Sequence, residues 1–189
     1  MSTEHTVITI TKELPLKDFY ERFVDIPRCA AACEACPDHG GTWACPPFEA
    51  DPEAIWQSFD TIMLLAKKVV PSSEALERVY TGQELLHAFD SILTPVKRSL
   101  INELLALEKQ IPGSLALSAG GCDICDTCTR PMGLPCRAPE KKRFSIEAIG
   151  GDAVGAIEKL LGESILWAEE GRLPAHFILI GALLKKSRP

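Results

Sequence analysis

DPEAIWQSFDTIMLLAKKVVP (Asp51–Pro71) holds a helix signal and a strand signal side by side. Asp51 is a good N-cap, because its carboxylate accepts an otherwise unpaired backbone N–H, and Pro52 suits the first helical position with its fixed φ. A helix is expected from about Pro52 to Ser58. Thr61 to Val70 then reads as a strand, and Pro71 closes it.

The same alternation continues outward. Val7 to Thr11 is a short β-branched run that reads as a strand, and Leu16 to Phe23 as a helix ending before a turn at Pro27. From Ser72 onward the pattern is helical, with Thr81 and Glu84 spaced as a capping box for Gln83 to Leu93. Thr94-Pro95 is expected to restart or kink that helix. Leu85, Phe89, Ile92, Val96, Leu100, Leu104, Leu107 and Ile111 keep three- or four-residue spacing across the break, so both segments show one face to the core. Leu115 to Ser118 reads as a strand, Asp152 to Leu161 as a helix with Gly162 at its C-terminal cap, and His176 to Leu184 as a buried strand.

Strands alternating with helices favour layered α/β packing. The expected fold is α/β: a small mixed sheet of about four strands with flanking helices, in a single domain over residues 1–189. Two cysteine-rich insertions, at 28–48 and 120–143, form long metal-binding loops on it. With 189 residues and 46% apolar content the chain can bury a core of ordinary size. A net charge of -6 gives no electrostatic footprint for nucleic acid, whose phosphates it would repel. The N-terminal MSTEHTVITITKEL lacks a basic start followed by an apolar stretch, and the longest apolar runs are too short for a bilayer, so a cytoplasmic protein is expected.

That compartment decides how the eight cysteines are read. A reducing cytosol disfavours disulfides and shifts the pattern toward metal binding or catalysis. The cysteines fall into two quartets: Cys29, Cys33, Cys36 and Cys45, then Cys122, Cys125, Cys128 and Cys136. In GGCDICDTCTRPMGLPC (Gly120–Cys136) the first three follow C-x2-C-x2-C, the run that wraps a [4Fe-4S] cluster because successive thiolates reach different irons of one cube. Structural zinc usually takes paired C-x2-C hooks from two separated turns. In two-cluster ferredoxins the fourth cysteine serves the other cluster and precedes a proline; here Cys45 precedes Pro46, whereas Cys136 follows Pro135, so cross-ligation stays open.

In RCAAACEACPDHGGTWACPPF (Arg28–Phe48), Cys29, Cys33 and Cys36 lie at i, i+4 and i+7 and share one side if the segment is helical. Their C-x3-C-x2-C spelling resembles radical S-adenosylmethionine enzymes. Cys45 close by to fill the open iron, a chain short for a partial barrel, and Ala35 before the third cysteine all count against that chemistry.

The blocks CPDHGGTWACPPF (Cys36–Phe48) and GCDICDTC with PCRAPEKKRFSIEAIGGD, between Gly121 and Asp152, resemble a family of cytosolic bacterial and archaeal proteins. It is catalogued as domain of unknown function 2284 and described as predicted metal-binding proteins. The resemblance spans nearly the whole chain and implies metal binding by the eight cysteines, with Trp43, Pro46 and Pro47 shaping the first loop.

Other residues carry two readings each. His39 is a ligand or proton donor, or a solvated turn residue beside a glycine pair. Trp43 shields a cluster from water or packs in the core. Arg137, Lys141, Lys142 and Arg143 offset a thiolate-bound cluster's negative charge, dock an acidic partner, or form a solvated segment. His87 and His176 read as structural. No G-x-S-x-G elbow, P-loop, dinucleotide fingerprint or H-E-x-x-H is present. The leading expectation is an iron–sulfur protein with one or, preferably, two [4Fe-4S] clusters that exchanges electrons with a redox partner protein. A zinc-stabilised interaction module and an accessory metalloenzyme acting on a small molecule are the alternatives.

Overall fold

The computed structural model describes residues 5–187. Strand β1 (His5–Pro15) leads into helix α1 (Leu16–Phe23), and α2 (Ile26–Glu34) opens the first cysteine segment. Helix α3 (Pro52–Gln57) precedes β2 (Thr61–Pro71), and α4 (Ser73–Glu77) precedes the long α5 (Gly82–Gln110). After β3 (Leu115–Leu117) and the second cysteine segment come α6 (Ala153–Ala156), its π-helical continuation Ile157–Leu161, and β4 (Phe177–Lys185).

The four strands form one sheet in the order β1-β2-β4-β3. Every strand pairing is antiparallel rather than mixed. Alternation of helices and strands says nothing about strand direction, and direction here follows from how the connections close. Leu16 N–H donates to Asp60 O at 2.8 Å, so β1 and β2 pair as a hairpin whose turn is replaced by α1, α2, the first cysteine loop and α3.

Both sheet faces are covered, and β2 shows how. Ile62, Leu64 and Ala66 face α1, α3 and α6, alongside Phe19, Phe23, Trp56 and Ile149. Leu65 and Val69 point the other way, to clusters built with Ile92, Val96, Leu100 and Leu104 of α5. Lys67 shares that α5 side, and its buried ammonium is satisfied by Glu103 at 2.6 Å and by Thr9 Oγ1 at 2.9 Å.

Several local expectations change. Helix α1 ends at Phe23 as expected, but Pro27 sits in the first turn of α2, with Asp25 as N-cap, instead of in a turn. Helix α5 runs continuously through Pro95, because its apolar stripe stays on the sheet through burial of Ile92, Val96 and Leu100. The stripe stops short of Ile111, which is exposed. Asp51 caps α3 through the Glu53 N–H at 3.0 Å.

Candidate metal centre

The first quartet hangs from a pair of glycines. Asp25 N–H donates to Gly150 O at 2.8 Å, Asp152 N–H donates to Phe23 O at 2.6 Å, and Val24 bridges Gly151. Gly150 has φ +96°, and a Cβ there would lie 2.5 Å from Ile26 Cγ1 and 2.8 Å from its Cα. Only glycine allows α2 to approach so closely. Trp56 Nε1–H donates to Ile149 O at 2.7 Å, which holds the same turn against the core.

Helix α2 then carries Cys29 and Cys33 on one side, and Cys36 follows, its N–H bonded to Cys33 O at 3.1 Å. All three line a cavity with Glu147 and Asp152. Burial is the largest influence raising the Cys29 and Cys33 thiols above the ordinary range; Asp152, Asp25 and Cys33 add to it for Cys29, and Cys36, Cys45 and Glu147 for Cys33. Cys45 is half-buried, with Thr42 Oγ1 at 3.2 Å from its Sγ. His39 Nδ1–H donates to the Cys33 carbonyl at 2.8 Å, which ties the ring to the turn.

In the second quartet all four cysteines share a cavity. Cys122, Cys125, Cys128 and Cys136 line one enclosed cavity, with Trp43 of the first loop as part of its wall. Burial raises the Cys122 thiol, against an opposing hydrogen bond from the Ile124 backbone, and Asp123, Cys128 and Cys136 raise it further. Buried Thr129 donates its Oγ1–H to Pro135 O at 2.8 Å and closes the loop between Cys128 and Cys136. Lys97 and Arg98 of α5 pair with Asp123 and Asp126, each at 2.6 Å, and Arg143 pairs with Glu108 at 2.9 Å, so α5 is the platform for this loop.

The two loops are tied to each other. Arg130 donates to Thr42 O at 2.6 Å, to Pro47 O at 2.5 Å and to Cys45 O, and its guanidinium lies 5.5 Å from the Trp43 ring centre. Trp43 Nε1–H donates to Leu134 O at 3.1 Å. Phe48 and Phe144, at the exits of the two loops, pack with ring centres 4.3 Å apart. The Pro46–Pro47 peptide is cis.

The second quartet therefore shares one cavity, whereas in the first Cys45 does not line the cavity of Cys29, Cys33 and Cys36, and the basic string does not act as a unit. Arg143 is spent on Glu108, Arg137 donates to Thr127 O, and Lys142 lies over the Phe144 ring. Among the described residues no three His, Cys, Asp or Glu side chains stand as a ready-made site for a single metal ion. As donors, four thiols around one enclosed cavity fit thiolate-bound metals or clusters, which need deprotonated sulfur ligands.

The model of the family described as predicted metal-binding protein, domain of unknown function 2284, matches residues 21–184. The chain belongs to this family. No curated protein and no solved structure matches the chain. Beside the cysteines, the segments that carry the family resemblance hold residues whose importance spacing does not reveal. Arg130 clamps three carbonyls across the loops, and Glu147 is a carboxyl whose Oε2 is buried without a hydrogen-bond partner among the described residues. Burial pushes Glu147 above the usual carboxylate range, against lowering contributions led by its own backbone N–H and Ser145. Neither has a sequence signature: a lone arginine between cysteines and a lone glutamate in SIEAIGG look like solvated residues.

Proposed function

We infer that this protein carries two [4Fe-4S] clusters, one per quartet, and passes electrons to or from a partner protein. The observation that carries the reading is the second quartet: C-x2-C-x2-C and Cys136 line a single enclosed cavity walled by Trp43. A cube held by four cysteines needs those ligands and a shell that limits water. Cys122, Cys125, Cys128 and Cys136 would hold one cluster; Cys29, Cys33, Cys36 and Cys45 would hold the other. When bound, such clusters take up and release single electrons at potentials set by hydrogen bonding and exposure.

The cross-ties support two communicating centres. Trp43 and Arg130 reach from each loop into the other, so both quartets are held at a fixed separation by protein contacts. No helix among the described residues is long and apolar enough to cross a membrane.

The test is spectroscopic. Protein purified without oxygen is expected to be brown, to show a broad visible absorbance, and to bleach on addition of dithionite. The Cys122→Ser variant is expected to lose about half of that absorbance, because the other quartet keeps its own cluster. A colourless protein with stoichiometric zinc would overturn the reading in favour of a zinc-stabilised module.

A further inference from the structure

A polar cleft of about 590 Å³ opens where α5 meets the two limbs of the second cysteine loop, with Arg98, Asn102, Cys125, Asp126, Arg137 and Lys141 along it. Cys125 also lines the enclosed cavity of its own quartet, so the cleft is an outer approach to that centre. Arg137 and Lys141 are the two members of the basic string that stand here. The fold adds Arg98 from α5 in place of Lys142 and Arg143, which meet Phe144 and Glu108.

The charges in the cleft do not cancel. Its two carboxylates, Asp123 and Asp126, are each matched by a cation of α5, Lys97 and Arg98, at 2.6 Å. Arg137 gives an N–H to a neutral acceptor, Thr127 O, and the Lys141 ammonium has no hydrogen bond or ion pair among the described residues. Two positive charges are left uncompensated on a chain whose net charge is -6. Arg98, Arg137 and Lys141 are all exposed. Cations that converge in a buried floor hold a small anion, whereas cations on long stems at an exposed rim suit the carboxylates of another protein's surface. Electron-exchange complexes bury little area, and charge matching of this kind steers and registers them. A thiolate-bound centre is itself negative, and the uncompensated cations offset its repulsion of an acidic face brought up to Cys125.

We propose that an acidic partner protein docks on this cleft, its Asp and Glu side chains paired with Arg98, Arg137 and Lys141. Given the cluster proposed for the second quartet, on which this assignment of the partner rests, the partner is its one-electron donor or acceptor. The Asp126 side chain is 92% exposed, and an exposed ion pair contributes little, so the Arg98 guanidinium is free to exchange it for an incoming carboxylate.

Fluorescence anisotropy of labelled decaglutamate, titrated with the full metal-loaded chain purified without oxygen, tests the docking, with citrate as a competing small anion. At low ionic strength the peptide is expected to bind, and added salt to weaken it. Lys141→Glu, which removes no side-chain ion pair or hydrogen bond, is expected to weaken binding about tenfold. Lys12→Glu makes the same change of net charge at an exposed site on β1 and is expected to leave binding within about twofold. Absence of salt-sensitive binding, equal loss in the two variants, or complete displacement of the peptide by equimolar citrate would each overturn the proposal. The anisotropy is read whatever metal the quartets hold. A colourless protein that binds decaglutamate in this way overturns the cluster reading and leaves the acidic docking face in place, whereas a brown protein that fails to bind it overturns the docking and leaves the clusters.

Discussion

At the scale of single residues, Arg130 and Glu147 hold opposite roles in one site. Arg130 satisfies carbonyls of Thr42, Cys45 and Pro47 that a cysteine loop would otherwise leave to water. Hydrogen bonds from a charged donor contribute about 1.5–3 kcal/mol each when buried and less when part-exposed, as here. Arg130→Ala is therefore expected to destabilise the protein by about 1–3 kcal/mol, and Arg130→Lys to restore little, since one ammonium cannot span three carbonyls in a fixed fork. Thermal melts of the metal-loaded protein check both. For Glu147, burial keeps the proton on to higher pH in the folded chain than in the unfolded one. Its contribution to stability is complete below the ordinary carboxylate range and is lost as pH rises through the raised value, because the unfolded chain ionises first. Glu147→Gln, which cannot ionise, is thus expected to gain on the unaltered protein as pH rises above about 4.5. Melting temperatures between pH 4 and pH 8 that stay parallel for the two proteins would contradict this. Neither role is legible in the sequence. A carbonyl clamp and an unpartnered carboxyl are defined by residues distant along the chain, such as Arg130 and Thr42.

At the scale of elements, local signals read well and directions read poorly. Asp51-Pro52 starts α3 and Thr61 to Pro71 forms β2 as the composition dictates, because capping and β-branched runs act within a few residues. The continuity of α5 through Pro95 was hidden, since the proline's local cost is outweighed by apolar burial along the sheet face. The antiparallel pairing was hidden too: it depends on the closure between Leu16 and Asp60, not on any run of residues. Gly150 gives the sharpest test at this scale. Gly150→Ala puts a side chain at φ +96° and into the Ile26 backbone, a strain of order 1–3 kcal/mol from the backbone conformation alone. Helix α2 must shift, so the variant is expected to lose metal from the first quartet while keeping it at the second. Gly162→Ala, also at positive φ but with nothing within 4 Å of the new Cβ, is expected to cost less and to keep both. Metal counts and melts on the pair separate a local clash from a general loss of stability.

For the whole molecule, the sheet and α5 form a frame on which two long loops are pinned at their roots and tied to each other. Phe48 meets Phe144 where the loops rejoin the core, and Trp43 and Arg130 link them further out. The two quartets and their spacing were plain in the sequence. The gathering of the second quartet around one cavity, apart from Cys29, Cys33 and Cys36, and the sharing of Trp43 with that cavity, were not, because loop-to-loop contacts leave no periodic trace. Since the loops carry little apolar core of their own, metal is expected to order them. Chelation should make residues 28–48 and 120–143 the first sites of limited proteolysis, with the sheet retained, whereas uniform cleavage along the chain would show that metal holds the entire fold. The central claim is settled by counting atoms. Iron, acid-labile sulfide and zinc per chain, measured on protein purified without oxygen, are expected at about eight, about eight and none, two cubes' worth; stoichiometric zinc with no sulfide would contradict the account.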